Sequence, residues 1–159
     1  MISVETSIRH LAWSNQEFFT YFEGKQDEVF SLRAADGEWT IGQLLAHLVN
    51  SESWFRYCLI GIDWSDFQEI TNASMIQDHL KILAELDTVL LSEVPKTDDD
   101  LIINAGDEVF NATRSLILSQ AVMHAAEHKS QIATILKQHG HHLDLDALDV
   151  WKFVSSTKE

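Results

Sequence analysis

Residues Thr113 to Gly140 read TRSLILSQAVMHAAEHKSQIATILKQHG. Leu116, Ile117, Ala121, Ala125, Ile132, Ile135 and Leu136 recur at three- and four-residue steps, the period of an amphipathic helix. Thr113 stands where an N-cap belongs, and Gly140 where a helix stops. His124 and His128 lie one turn apart inside the apolar stripe, so both imidazoles can point at one spot. Imidazole is the commonest protein ligand for transition metals. Eight histidines in 159 residues would give about 0.4 such pairs by chance. The weight therefore rests on placement within the stripe and on a third histidine.

That histidine lies on the helix with the clearest start signal. Thr40 and Gln43 form a capping box, with Trp39 and Leu44 at the positions of a hydrophobic staple. The helix is expected over Ile41–Ile60, ending near Gly61, with an inward stripe of Leu44, His47, Leu48, Ser51, Phe55 and Leu59. His47 is thus the candidate third ligand. His79 adjoins the aliphatic face of another helix and ranks below it as a reserve.

Outward from these two helices, residues 3–22 read as a first helix with Val4, Ile8, Leu11, Phe18 and Phe22 on one side. Asn15 falls on that side too. A polar connection follows over Gly24–Glu38, with one helical turn near Asp27–Leu32. Residues 61–71 form a loop whose Trp64 and Phe67 either dock back or face a partner. A third long helix is expected over Asn72–Val94, stopped by Pro95. Leu101–Ile103 and Val109–Phe110 flank a glycine turn and predict a small hairpin. His139, His141 and His142 fit solvated residues at a helix end. Asp144–Val154 reads as a short last helix. The expected fold class is all-α: a four-helix bundle with a short β-hairpin before the last long helix, in a single domain over 1–159.

Composition narrows the function. A net charge of −14 disfavours nucleic acid and anionic membrane surfaces, which call for basic patches. An apolar fraction of 45% is enough for a core. One proline and six glycines favour long helices over a many-turned β fold. Cys58 is the single cysteine, so no intrachain disulfide forms, in keeping with a reducing compartment. The N-terminal stretch lacks the pattern of a signal peptide, and no apolar run spans a bilayer. The expected location is cytoplasmic.

Three neutral imidazoles bind divalent transition metals. Three protein ligands leave an open position, the pattern of catalytic rather than structural sites. A water or thiol in that position is held in its deprotonated, nucleophilic form. Each histidine needs a partner for its other nitrogen. Gln120, Gln131, Glu127 and Asn15 are the candidates, with Glu127 ranked below Gln131 because it points away from the ligand face. His124-Ala-Ala-Glu127-His128 also fits the H-x-x-E-H peptidase motif. That family needs a glutamate ligand on a later helix, and Glu159 is the only glutamate downstream.

Trp39-Thr-Ile-Gly-Gln-Leu-Leu-Ala-His47-Leu48 and His124-Ala-Ala-Glu-His128-Lys-Ser-Gln131-Ile132, ending at Gly140, resemble the DinB-like (YfiT-like) family of metal-dependent proteins. Trp13 to Phe18, with Asn15, is similar to a weaker first-helix pattern. The resemblance covers nearly the whole chain. It implies up-down-down-up helix order, with a crossing connection between the second and third long helices. It implies metal ligation by His47, His124 and His128, water in the open positions, and homodimers. Related members include thiol-dependent S-transferases and a mycothiol-dependent isomerase.

The expectation is therefore a divalent transition-metal site, with Zn or Ni ahead of Fe, Mn and Co. It would serve a thiol S-transferase or hydrolase acting on a small molecule, with a low-molecular-weight thiol as co-substrate. Asn15 and Gln131 are the candidates to orient ligands or substrate. The competing expectation is a non-catalytic stress-related or interaction protein with a structural or vestigial metal site.

Overall fold

Local capping signals set the helix ends in the computed structural model, which describes residues 3–157. Ser3 Oγ accepts the Thr6 N–H at 3.1 Å and starts α1, Val4–Thr20. A single turn, α2, spans Asp27–Phe30. Helix α3, Ile41–Ile60, carries the expected capping box. Thr40 Oγ1 accepts the Gln43 N–H at 3.0 Å, and Gln43 Oε1 accepts the Thr40 N–H at 2.9 Å. Gly61 closes α3 in the left-handed region, with φ 71°. Helix α4 spans Ile76–Glu93, strands β1 and β2 span Asp100–Ala105 and Glu108–Thr113, α5 spans Arg114–Gln138 and α6 spans Val150–Ser156.

Boundaries differ from expectation at three places. The short last helix, expected over Asp144–Val154, is a 3₁₀ turn at Asp146–Leu148 followed by α6, which Asp149 caps by accepting the Lys152 N–H. The first helix gives way after Thr20 to i→i+3 turns, with Phe22 N–H on Phe19 O and Glu23 N–H on Thr20 O. The third long helix enters through a 3₁₀ turn, Ala73–Met75, because the Asn72 side chain takes the Ser74 N–H at 3.1 Å.

Among the described residues the chain is mostly helical, with one small antiparallel sheet. Helix α1 packs on α4 and α5, and α3 packs on the same two. Their apolar stripes meet in a core that includes Ile8, Phe18, Phe22, Leu44, Leu45, Leu83, Leu90, Ile132 and Leu136. Two expected core residues are outside it: Val4 is 40% exposed and Leu116 59%. The inward face of α5 begins instead at Ile117 and Leu118, which leaves Leu116 facing solvent. Arg114 fixes the start of α5, donating to the buried Glu93 carboxylate of α4 and, through Nε, to Thr97 O at 3.0 Å.

The hairpin pairs Ile103 with Phe110 and Ala105 with Glu108, turning at Gly106, whose φ is 66°. Tyr57 Oη donates to Asn104 O at 2.6 Å and ties the hairpin to α3. Residues 61–71 lie back on the helices: Trp64 packs on Trp54 and Tyr57, and Phe67 on His79. Gly42 permits this close approach. Ile70 N–H donates to Gly42 O at 3.3 Å, and a methyl group at residue 42 would collide with the Ile70 carbonyl oxygen. At the far end, Phe153 of α6 is buried against His10 and Trp13, while Trp151 is exposed. No helix among the described residues is long and apolar enough to cross a membrane.

Candidate metal centre

The capping box fixes where α3 begins, and so fixes His47 two turns inside it. Helix α5 starts at Arg114 and carries His124 and His128 to the same level. The ring nitrogens converge: His47 Nε2 and His128 Nε2 each lie 3.1 Å from His124 Nε2. Ligand atoms of all three residues lie within 4.8 Å of one another. Three nitrogens bound tetrahedrally at about 2.1 Å from one ion would be about 3.4 Å apart. The three-histidine cluster can therefore hold a metal ion with little adjustment.

The protonation of the rings fits the same reading. Gln131 Oε1 accepts from His128 Nδ1 at 3.0 Å, which leaves the His128 Nε2 lone pair facing the cluster. Burial pushes His124 down to about 4, helped by the charges that His128 and His47 would carry. Burial, then the neighbouring His128, lowers His47 as well. These two rings are neutral at pH 7, the form that ligates a metal. The Nε2–Nε2 separations of 3.1 Å are hydrogen-bond distances, and a shared cation can take the place of the ring proton between them.

The site is open on two sides of His47. One cavity of about 380 Å³ is lined by Trp39, Gln43, His47, Asn50, Asp66 and Glu69, among others. The other, about 490 Å³, is lined by His47, Ser51, Trp54, Phe55, Gln120 and His124 among others. Aromatic rings bracket the histidines: Trp39 lies 4.8 Å from His47 and Phe55 5.9 Å from His124, centroid to centroid. Ser51 Oγ is 3.5 Å from His47 Nε2. Trp39, read in the sequence as half of a hydrophobic staple, is half-exposed against a ligand ring. Its place in the Trp39–Leu48 stretch was the available signal.

Of the remaining candidates, Gln120 alone stands beside the rings. His79 is buried with Nδ1 on Met75 O at 2.8 Å, outside the cluster, because the carbonyl one turn back captures its ring. Glu127 is exposed, as its position beside the ligand face implies. Gln120 lines the second cavity. His139 donates to Arg33 O from an exposed helix end.

Asn15 makes no hydrogen bond to the three rings. Its side-chain nitrogen donates to Glu52 Oε1 at 2.5 Å and Asp87 Oδ1 at 3.2 Å, deep between the helices. Lys129 completes this second cluster, donating to Ser14 Oγ at 2.8 Å. Glu52, Asp87 and Lys129 each stand on an apolar helix face, at Leu48–Phe55, Leu83–Leu90 and Ala125–Ile132. A charged residue at such a position is the sequence signal of a buried polar cluster.

A sequence model of the DinB family matches residues 1–149. The chain belongs to the DinB family. No curated protein matches it. In this DinB chain the matched span takes in all three histidines, Gln131, and both clusters, and it stops just before α6.

Proposed function

We propose that this DinB-family protein binds a divalent transition metal through His47, His124 and His128, and works as a metal-dependent thiol S-transferase or hydrolase on a small molecule. The observation that carries the reading is the convergence of three ring nitrogens beside open cavities. An all-nitrogen set with neutral rings suits Zn or Ni ahead of Fe, Mn or Co.

When bound, the ion supplies Lewis acidity that favours the deprotonated form of a water or thiol beside it. The chain supplies the rest. His47, His124 and His128 hold the ion, and Gln131 keeps the His128 ring turned so that Nε2 faces it. Trp39 and Phe55 limit where a substrate can sit. In the transferase version, the thiol proton leaves to solvent and the sulfur bonds to an electrophilic carbon, whose leaving group departs with its electron pair.

The same reading takes α1, α3, α4 and α5 as a four-helix bundle in up-down-down-up order, within one domain over 1–159. Support comes from paired positions. His47 meets His124, and Cys58 and Ile117 line one cavity, so α3 and α5 run oppositely. Leu11 and Ala125 line another with Ser14 and Lys129, so α1 and α5 run together. The reading also takes the protein as a cytoplasmic homodimer acting on small molecules, and the net charge of −14 speaks against nucleic acid or an anionic membrane surface as partner.

The test is elemental analysis of protein purified without chelator, beside His124→Ala. Stoichiometric metal in the first and none in the second is expected. Equal metal in both would refute the ligand assignment. Metal binding with no thiol transfer or hydrolysis, and a large fall in Tm on chelation, would favour the non-catalytic reading.

A further inference from the structure

The cavity beside His47 and His124 continues into a second, drier one. Trp54, Phe55 and Gln120 line both. Beyond them the lining is Cys58, Ile103, Ala112 and Ile117, buried where the hairpin lies over the α3–α5 seam, with the exposed Phe110 and Leu116 at the mouth. The volume there is about 270 Å³. An apolar cavity of about 150 Å³ accepts benzene, so this one has room for a phenyl ring with part of its linker.

We infer that this space is a subsite for an apolar group, aryl or branched alkyl, carried by the molecule that binds at the three-histidine site. The claim deepens the function proposed above and rests on it for the polar end of the ligand. Direction and reach both follow from the two helices. From His124 toward the hairpin, Gln120 is one turn away and Ile117 about two, or roughly 6 to 10 Å at 1.5 Å per residue. On α3 the series His47, Ser51, Phe55, Cys58 runs the same way. The apolar group is therefore joined to the atom at the histidines by a short linker rather than directly.

Toward Trp39 the lining has a different character. Gln43 and Glu69 stand there, with Asn50 and Asp66 shared between the two cavities at His47. An apolar substituent has one favourable direction to go, and a polar co-substrate has the other. Cys58 in the apolar space is wall rather than nucleophile. It is buried, and burial pushes its thiol up to about 11, so it stays protonated at neutral pH. The Phe110 ring is partly exposed at the rim, and Ala112 is the small residue that keeps the space open.

The experiment uses full-length protein loaded with Co(II), titrated with 2-mercaptoethanol, 2-phenylethanethiol and 4-phenylbutane-1-thiol. Affinity is read from the sulfur-to-cobalt absorption. The phenyl thiols are expected to bind roughly tenfold or more tighter than 2-mercaptoethanol, the gain expected from burying one ring. Ala112→Phe, which fills the space, should erase that gain and leave 2-mercaptoethanol binding unchanged. Phe110→Ala, at a partly exposed strand position, guards against misfolding of the first variant and should reduce the gain several-fold. Equal binding of all three thiols, or a gain untouched by both variants, overturns the subsite.

If 2-mercaptoethanol gives no sulfur-to-cobalt band, the metal–thiol reading itself fails. The subsite is then judged on 4-phenylbutan-1-ol by amide shift mapping. Saturable shifts at Cys58 and Ala112 that Ala112→Phe abolishes sustain it, and their absence overturns it.

Discussion

His128 and Lys129 are consecutive in the chain, yet they serve different clusters. His128 turns to His47 and His124 beside open cavities, while Lys129 turns inward to Ser14, near Glu52 and Asp87. On α3, His47 and Glu52 divide in the same way. The inner cluster is sealed from solvent. Asn15 links the two carboxyl groups, donating to one oxygen of each. The second oxygens, Glu52 Oε2 and Asp87 Oδ2, are buried without a hydrogen-bond partner. Burial pushes Glu52 well above the usual carboxylate range, with Asp87 adding to the effect. The Lys129 charge beside them pulls both carboxyl groups back down.

The outer cluster is arranged differently. Its ring nitrogens converge at hydrogen-bond distance from one another beside open cavities. A buried polar network specifies packing. An accessible cluster of neutral imidazoles is arranged to take a ligand. The comparison predicts that damage to the inner cluster costs stability, and damage to the outer one costs metal affinity.

Lys129→Met should give the largest effect. Removing one partner of a buried charged group leaves the other uncompensated, at a cost of about 3–5 kcal/mol. Urea unfolding at pH 7 reads it, and a loss below about 1 kcal/mol would break the contrast. His124→Ala should lower metal affinity by more than a hundredfold, measured by competition with a chromophoric chelator. The metal-free protein should lose only about 1 kcal/mol or less, because the ring is half-exposed.

Gln131→Leu should be milder. Losing a partner that orients a metal ligand lowers affinity about 10- to 100-fold. Retained full affinity would mean that the His128 ring is held by something else.

The smallest and most diagnostic effect is in pH. Burial holds Asp87 up at about 6, against an ordinary 3.8. Between those values the native state keeps a proton that the unfolded chain releases, so this carboxyl's contribution to stability falls as pH rises. His124 works in the opposite sense. Its pKa is lowered from 6.5 to about 4. In that window the unfolded chain takes up a proton that the native state refuses, so stability rises with pH. Metal-free wild type should therefore lose stability relative to Asp87→Asn between pH 4 and 6. Relative to His124→Gln it should gain between pH 4 and 6.5. Parallel curves would show that the two clusters do not titrate as described.

Helix ends and types were legible from local chemistry, because caps act over three or four residues. Ser3 starts α1, the Thr40–Gln43 box starts α3, and Gly61 stops it. The i,i+4 spacing of His124 and His128 and the i,i+3 step from His128 to Gln131 were equally local. They describe one helix surface whatever that helix packs against.

Three matters belonged to the tertiary structure alone. Helix periodicity says which residues share a face but not which faces meet, so His47 could only be a candidate until α3 lay beside α5. Asn15 sits on the apolar side of α1 whether it serves a metal or a carboxyl pair, and the approach of Glu52 and Asp87 decided between them. Leu116 matches the stripe of α5 by spacing, yet faces solvent because packing favoured Ile117 and Leu118. Local hydrogen bonds and side-chain period are written into short stretches of sequence. The neighbours across a helix seam are set by the packing of the whole chain.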